Sequence, residues 1–305
     1  MTSVRGSRAL FLYFARRFGW GLGIIWLLLT CTWLLVRLKP ERGGPMGGFE
    51  PGSGSIGGGA VSAYVEFMVD IATLNWGPAV LSTWETAAPI TLLYLVPALA
   101  VSSLLGILVA TYAAMVPGGW IDRAVSALSN VGIGVPTFVL VEGAIAIAPQ
   151  YGIVLEPFDQ RQALLHPDNL VGMMIPAAML ALPLFGLIMR YARQEALAQR
   201  TAEYVKTARA KGAGRARIAA HVLRNAWLAL MQVVFSEVVG LLILGTIVLE
   251  VGFQIPGLAA SFFLALQEPD LGLVVTVALV VVGFGVVGTW LQDIGRLFVR
   301  PNAGE

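Results

Sequence analysis

Charge is what this sequence has least of. Asp, Glu, Lys and Arg make up 12% of its 305 residues, about half the share of a soluble globular domain. With 57% hydrophobic residues and a mean hydropathy of +0.78, that deficit excludes an ordinary soluble fold. Thiols are scarcer still. The one cysteine, Cys31, falls in the first apolar run, which excludes an intrachain disulfide and a thiol-rich metal site and suggests a small buried hydrophobe. Two histidines, His166 and His221, are present, with no H-E-x-x-H between them. The sequence has no G-x-x-x-x-G-K-[ST] with which to hold ATP and no G-x-S-x-G nucleophile elbow. No cofactor, metal or nucleic acid is called for on this chain. Two G-x-G-x-x-G matches, at 52–57 and 283–288, lack the strand–turn–helix setting that cradles a phosphate. In the second, as in Gly19-x-x-x-Gly23, the glycines suit close helix contact instead.

What is abundant is apolar sequence, in runs of the roughly 20 residues that cross a bilayer. Six spans are expected, at about 18–38, 89–115, 125–148, 170–190, 226–250 and 271–291. The first follows Arg16 and Arg17 but is too long for a signal-peptide core and lacks an A-x-A-like cleavage site, so it reads as a retained helix. Pro97, Pro136, Pro176 and Pro183 fall inside spans, where neighbouring helices can satisfy the freed carbonyls. The fold expected is an all-α polytopic membrane protein.

Lys and Arg orient the bundle. With the N-terminus in the cytoplasm, sixteen basic residues lie inside, nine of them between Arg190 and Arg224, and four lie outside: Arg37, Lys39, Arg42 and Arg161. The chain then divides into a cytoplasmic N-terminus (1–17), a first span (18–38) and an extracytoplasmic segment (39–88). A core of five spans (89–291) with a cytoplasmic loop (191–225) follows, and then a cytoplasmic tail (292–305). The outside segment opens with the Gly-rich "GGPMGGFEPGSGSIGGG". Tyr64, Phe67, Met68, Ile71 and Leu74 then recur at helical spacing, suggesting an amphipathic helix against the membrane or the bundle. Eleven Asp/Glu from Glu41 to Asp270 make the outside face acidic, as a solvated surface would be.

Two acids fall inside spans, Glu142 in the third and Glu237 in the fifth. Ionisable groups at membrane depth are candidate pathway residues. No basic residue sits at matching depth and no chain of acids links the two, which disfavours a proton or sodium relay.

The cytoplasmic loop carries "EYVKTARAKGAGRARIAAHVLRNA", residues 203–226. Thr201 is placed to cap a helix with Glu203 at its second position, favourable at the positive end of the dipole. Arg209 and Lys211 weight the other end, and Gly212 supplies the left-handed stop. A second helix is expected from about Arg215 into the fifth span. Tyr204 and Ala208 share a face on which a small residue lets a partner approach. Attraction to anionic lipid would need the charges alone; a helix–Gly–helix unit joined to a span suits a mechanical linkage.

This segment resembles the EAA-type coupling loop of binding-protein-dependent ABC transporter permeases. It is closest to the dipeptide/oligopeptide branch, whose loop commonly reads D/E-Y-V-x-T-A-R-A-K-G. The resemblance extends to Arg16-Arg17, to "GVPTF" at 134–138 and to E-x-x-F-x-I-P-G-L at Glu250–Leu258. Three features depart from that branch: no proline follows "RNA", "QEPDLG" stands in place of its usual acidic, proline-containing stretch, and the N-terminal outside loop is unusually Gly-rich. The resemblance implies a type I importer-like permease fold in a prokaryotic cytoplasmic membrane. It implies that Glu203, Tyr204, Ala208, Arg209, Lys211 and Gly212 engage a cytoplasmic ATPase, and that Pro256 and Gly257 join Glu142 and Glu237 as candidate pathway or gate residues. The partners implied are a sister permease, two ATP-binding subunits holding ATP and Mg, an extracytoplasmic solute-binding protein and membrane lipid. The chain itself would be a transport subunit and not an enzyme. Peptide is the cargo expected, with oligosaccharide or a nickel chelate as the alternative. An ion-coupled secondary carrier and a membrane scaffold are the rival classes.

Overall fold

A computed structural model describes residues 3–37, 60–73, 75–153, 155, 157–240, 244–267 and 271–299. Every regular element among them is helical. In order these are α1 (Ser3–Arg37), α2 (Ala60–Ala72), α3 (Pro78–Ala113), α4 (Trp120–Gly134), α5 (Thr137–Ile147), α6 (Pro167–Gly172), α7 (Met174–Gln199), α8 (Glu203–Ala210), α9 (Arg215–Gly240), α10 (Thr246–Gly252), α11 (Leu258–Gln267) and α12 (Leu271–Val299). The chain divides into two compact units, cut after Ala88 and again after Ala260.

The first unit joins α1, α2 and the start of α3 to α12. Gly21 of α1 is where α12 comes closest: a Cβ there would stand 2.7 Å from Val286 and 3.0 Å from Trp290. Phe18 stacks on Trp290 with ring centroids 4.5 Å apart. The expected Gly19/Gly23 face is not the one used, since both positions open onto empty space; two residues along a helix is nearly the opposite side. Cys31 is exposed, not buried. The amphipathic face expected of α2 packs as foreseen. Ala63 and Phe67 are buried with Leu29, Trp33 and Val275, and Tyr64, Met68 and Ile71 flank them. The Tyr64 hydroxyl pairs with Thr30 Oγ1 at 2.7 Å. Leu74 lies outside the described residues.

In the second unit three apolar clusters follow one another along α3 and α7. Ile90, Tyr94, Leu95 and Ala98 of α3 meet Leu180, Val141, Leu249, Phe253 and Ile255. Next, Ile107, Ala110 and Ala113 meet Leu184, Ile188, Met189 and Ala192, with Val125 of α4 and Ala226 and Leu230 of α9. At the far end Ala114 and Met115 meet Ala196, Val205, Ile218 and Val222. This order carries packing from the middle of the spans to α8. Glycine permits the closest approach: a Cβ on Gly132 of α4 would stand 2.7 Å from Leu182 O of α7, and one on Gly186 of α7 would stand 2.9 Å from Ser129 O of α4.

Among the described residues four helical stretches are long and apolar enough to cross a membrane: Ala15–Leu34, Val80–Ala113, Pro167–Gln199 and Gly272–Trp290. The α4–α5 pair adds a fifth if counted as one span bent by 81°. The described residues thus account for four or five of the six spans expected. At 125–148 the helix breaks because Pro136 has no N–H and forces its predecessor out of helical geometry; Val135 is extended at φ −102, ψ 107. In α9 the first three turns hold Arg215, Arg217, His221 and Arg224, so its apolar part begins only near Ala226, and residues 241–243 lie outside the described residues.

Candidate functional site

The basic segment folds as helix, glycine stop and helix. α8 begins one residue later than its capping pattern suggests. Its N-cap is Ala202, without a side-chain cap, and Glu203 is the first helical residue. Thr201 instead turns its hydroxyl back to Ala198 O at 3.4 Å. At the C-terminus Gly212 has φ 77. The Gly212 N–H donates to Arg209 O at 2.9 Å, and the Ala213 N–H donates to Ala208 O at 3.0 Å. These two bonds close a Schellman motif, which requires a left-handed residue where glycine stands.

One face of α8 is fastened inward. Val205 is completely buried. Tyr204 is half-buried and its hydroxyl donates to Gln199 Oε1 at 3.1 Å; burial pushes its pKa up, so the phenol is a neutral donor. The other face is exposed: Glu203 pairs with Lys206 at 2.6 Å, and Arg209 and Lys211 stand free of the fold's core. Tyr204 therefore anchors α8 to its own chain. The outward surface is charged, and Ala208 sits half-buried at its edge.

Just before α8, Arg193 of α7 grips Asp122 of α4. Its Nε donates to Oδ1 at 2.6 Å and its second guanidinium nitrogen to Oδ2 at 2.9 Å. The Gly118 N–H donates to the same carboxylate at 2.9 Å. Asp122 is 3% exposed. The planar fork of Arg matches a carboxylate in this way and fixes direction as well as distance. Composition and periodicity do not single out either residue; a bidentate pair is a property of the α4–α7 packing.

A second constellation lies where α10 turns into α11. Glu250 is completely buried. Oε1 accepts from Thr91 Oγ1 at 2.6 Å and from the Tyr94 hydroxyl at 2.9 Å. Oε2 accepts from the Ala260 N–H at 2.7 Å. Thr91 Oγ1 in turn accepts from the Leu258 N–H at 2.8 Å. Between the carboxylate and α11 the backbone is tightly folded. Gln254 has φ 55, the only non-glycine positive φ among the described residues. Ile255 N–H donates to Glu250 O at 2.8 Å. A Cβ on Gly257 would collide with the Glu250 carboxylate, so only glycine fits there.

Of the candidate pathway residues, Pro256 and Gly257 are thus part of a built site, and the acid beside them is Glu250. Counted with the solvated outer acids, Glu250 is buried. The sequence held a signal for it: α11 starts after Pro-Gly with no Ser, Thr, Asp or Asn to cap it. Glu142 is exposed on α5, away from that cluster's hydrogen bonds. Glu237 lies on α9, with its side chain outside the described residues. Among the described residues no group of three His, Cys, Asp or Glu side chains could hold a metal.

Residues 102–296 match the family described as binding-protein-dependent transport system inner membrane component. The chain is 26% identical over 215 residues to the dipeptide transport system permease protein of Bacillus subtilis, covering 68% of this chain and 67% of that protein. It is 30% identical over 194 residues to a putative peptide transport system permease protein of Brucella abortus, covering 61% and 60%. A probable peptide ABC transporter permease protein of Sinorhizobium fredii is 27% identical over 262 residues, covering 78% and 79%. The matched region thus spans 60% to 67% of the length of the first two relatives.

Proposed function

This chain belongs to the family of binding-protein-dependent transport system inner membrane components, and we propose that it is the membrane-spanning permease subunit of an ATP-driven peptide importer. It is a multi-pass membrane transport protein rather than an enzyme. In the proposed assembly a sister permease completes the pathway, two cytoplasmic subunits bind and hydrolyse ATP with Mg, and an extracytoplasmic solute-binding protein delivers cargo. Both termini and the 191–225 loop face the cytoplasm, the 39–88 segment faces outward, and the chain itself needs no cofactor.

The observation that carries this reading is the construction of α8. Val205 and Tyr204 fix it to the end of α7, the Gly212 turn returns the chain into α9, and the charged face is left outward. A helix held on one side and charged on the other can take a push from a soluble partner without unfolding. Glu203, Lys206, Arg209 and Lys211 form the face offered to the ATPase. Tyr204 and Val205 pass its displacement to α7, and Arg193–Asp122 passes it to α4.

The test is reconstitution of the chain with its co-purifying subunits in proteoliposomes, with labelled di- and oligopeptides on the binding-protein side. ATP-dependent peptide uptake is expected. ATP-independent flux by this chain alone, abolished by E142Q or E237Q, would establish a secondary carrier instead.

A further inference from the structure

The Glu250 cluster has no place in the proposed ATPase linkage, yet it is the most completely built polar site among the described residues. A carboxylate taken fully out of water is tolerated only when charge partners or several donors replace the solvent. No Lys or Arg approaches Glu250 in the hydrogen bonds and ion pairs described. Its partners are two hydroxyls from α3 and the first-turn amides of α11. Those amides are the donors a helix leaves without intrahelical partners.

We propose that Glu250 and Thr91 together serve as the N-cap of α11, supplied from outside that helix, and that this cap is a positioning device for the outer end of the translocation pathway. The proposal rests on the importer reading, in which 250–270 faces outward. An ordinary cap sits beside its helix in sequence and follows it wherever it goes. Here the two cap groups sit on α10 and α3, so α11 keeps its Leu258 amide satisfied only while the Pro256–Gly257 turn lies against α3. Thr91 works as a relay, accepting from Leu258 and donating to Glu250. The helix dipole adds favourable charge at the same point. Gly257 lets the carboxylate reach across, and Gln254 holds a left-handed conformation of the kind that persists only where its surroundings fix it. Moving α11 away from α3 would break the Leu258–Thr91 bond, and moving α10 with it would break the Thr91 and Tyr94 bonds to Glu250 as well, making two discrete positions more favourable than a continuum.

The chemistry of the acceptors makes the idea testable. Both carboxylate oxygens accept; an amide replaces one acceptor with a donor and faces an N–H or hydroxyl that already donates. Valine at 91 keeps the shape of threonine and deletes the relay, whereas serine keeps the hydroxyl. The experiment uses the assembled transporter in nanodiscs and proteoliposomes. It reads amide hydrogen exchange at 258–260 and the number of ATP molecules hydrolysed per peptide taken up, in wild type, T91S, T91V and E250Q. The expected result is wild-type behaviour for T91S. In T91V and E250Q exchange should rise by about tenfold, the usual scale of a lost cap, and the ATP-to-peptide ratio should rise several-fold. Unchanged exchange in both variants overturns the cap. Faster exchange with an unchanged ratio overturns the positioning role. Should E250Q fail to assemble, T91V against T91S carries the test. Absence of ATP-driven uptake by the wild type overturns the importer reading instead, and the exchange data then judge the cap by itself.

Discussion

Arg193 holds Asp122 through two parallel hydrogen bonds of 2.6 and 2.9 Å, which ties the end of α7 nearest α8 to the first turn of α4. D122A would leave a guanidinium that is 27% exposed without its partner. A loss of about 1.5–3 kcal/mol is expected, as for other hydrogen bonds to charged groups. Thermal unfolding in detergent should show D122A and R193A each destabilised and the double variant less destabilised than their sum. Strict additivity would mean that the pair does not join the two helices energetically.

The same two helices meet at glycine further along. G132A should destabilise by about 1–3 kcal/mol, because the new methyl meets the backbone of α7, which cannot rotate aside. G143A is the control. No atom lies within 4 Å of its Cβ position, and alanine is favoured over glycine inside a helix by roughly 0.8–1 kcal/mol. Denaturation midpoints should therefore move in opposite directions.

At Gly212 the surroundings are open and the backbone alone objects. A side chain in the left-handed region costs roughly 1–2 kcal/mol, with β-branched residues worst. G212N is expected to retain transport. G212V is expected to insert normally while ATP hydrolysis and peptide uptake become uncoupled, measured side by side in proteoliposomes. Normal uptake by G212V would remove the turn from the linkage.

Val205 is the inward anchor of α8. V205A removes two buried methyl groups and should cost about 2 kcal/mol without touching the exposed charges. If α8 is the linkage, V205A should also raise amide exchange across 203–210 while leaving the 90–98 segment protected.

The sequence was legible where a pattern is local. The Gly212 stop, the two flanking helices and the packing face of α2 all follow from spacing and residue type, and the structure keeps them. The parts that were not legible depend on distant partners. Glu250 reads as one more outer acid until Thr91 and Tyr94, some 160 residues earlier, are brought against it. The inward turn of Tyr204 depends on Gln199 and the α7–α9 surface. The break at Pro136 was visible as a proline, but an apolar run gives no measure of how far such a helix bends; the 81° angle comes from how α4 packs on α7 and α5 on α10. The Gly19/Gly23 spacing suggested a contact face, yet Gly21 makes it, because residue spacing alone does not say which side of a helix meets its neighbour.

The central claim, that α8 is where an ATPase drives this protein, is tested most directly by crosslinking. A photo-reactive amino acid at Arg209, which is exposed near the C-terminal end of α8, would be irradiated in native membranes and its adducts identified by mass spectrometry. The account predicts a P-loop ATPase as the principal adduct, lost when the same probe stands at the buried Val205. Crosslinks to lipid alone, with no ATPase recovered, would contradict it and reduce the basic segment to a loop that only meets the membrane surface.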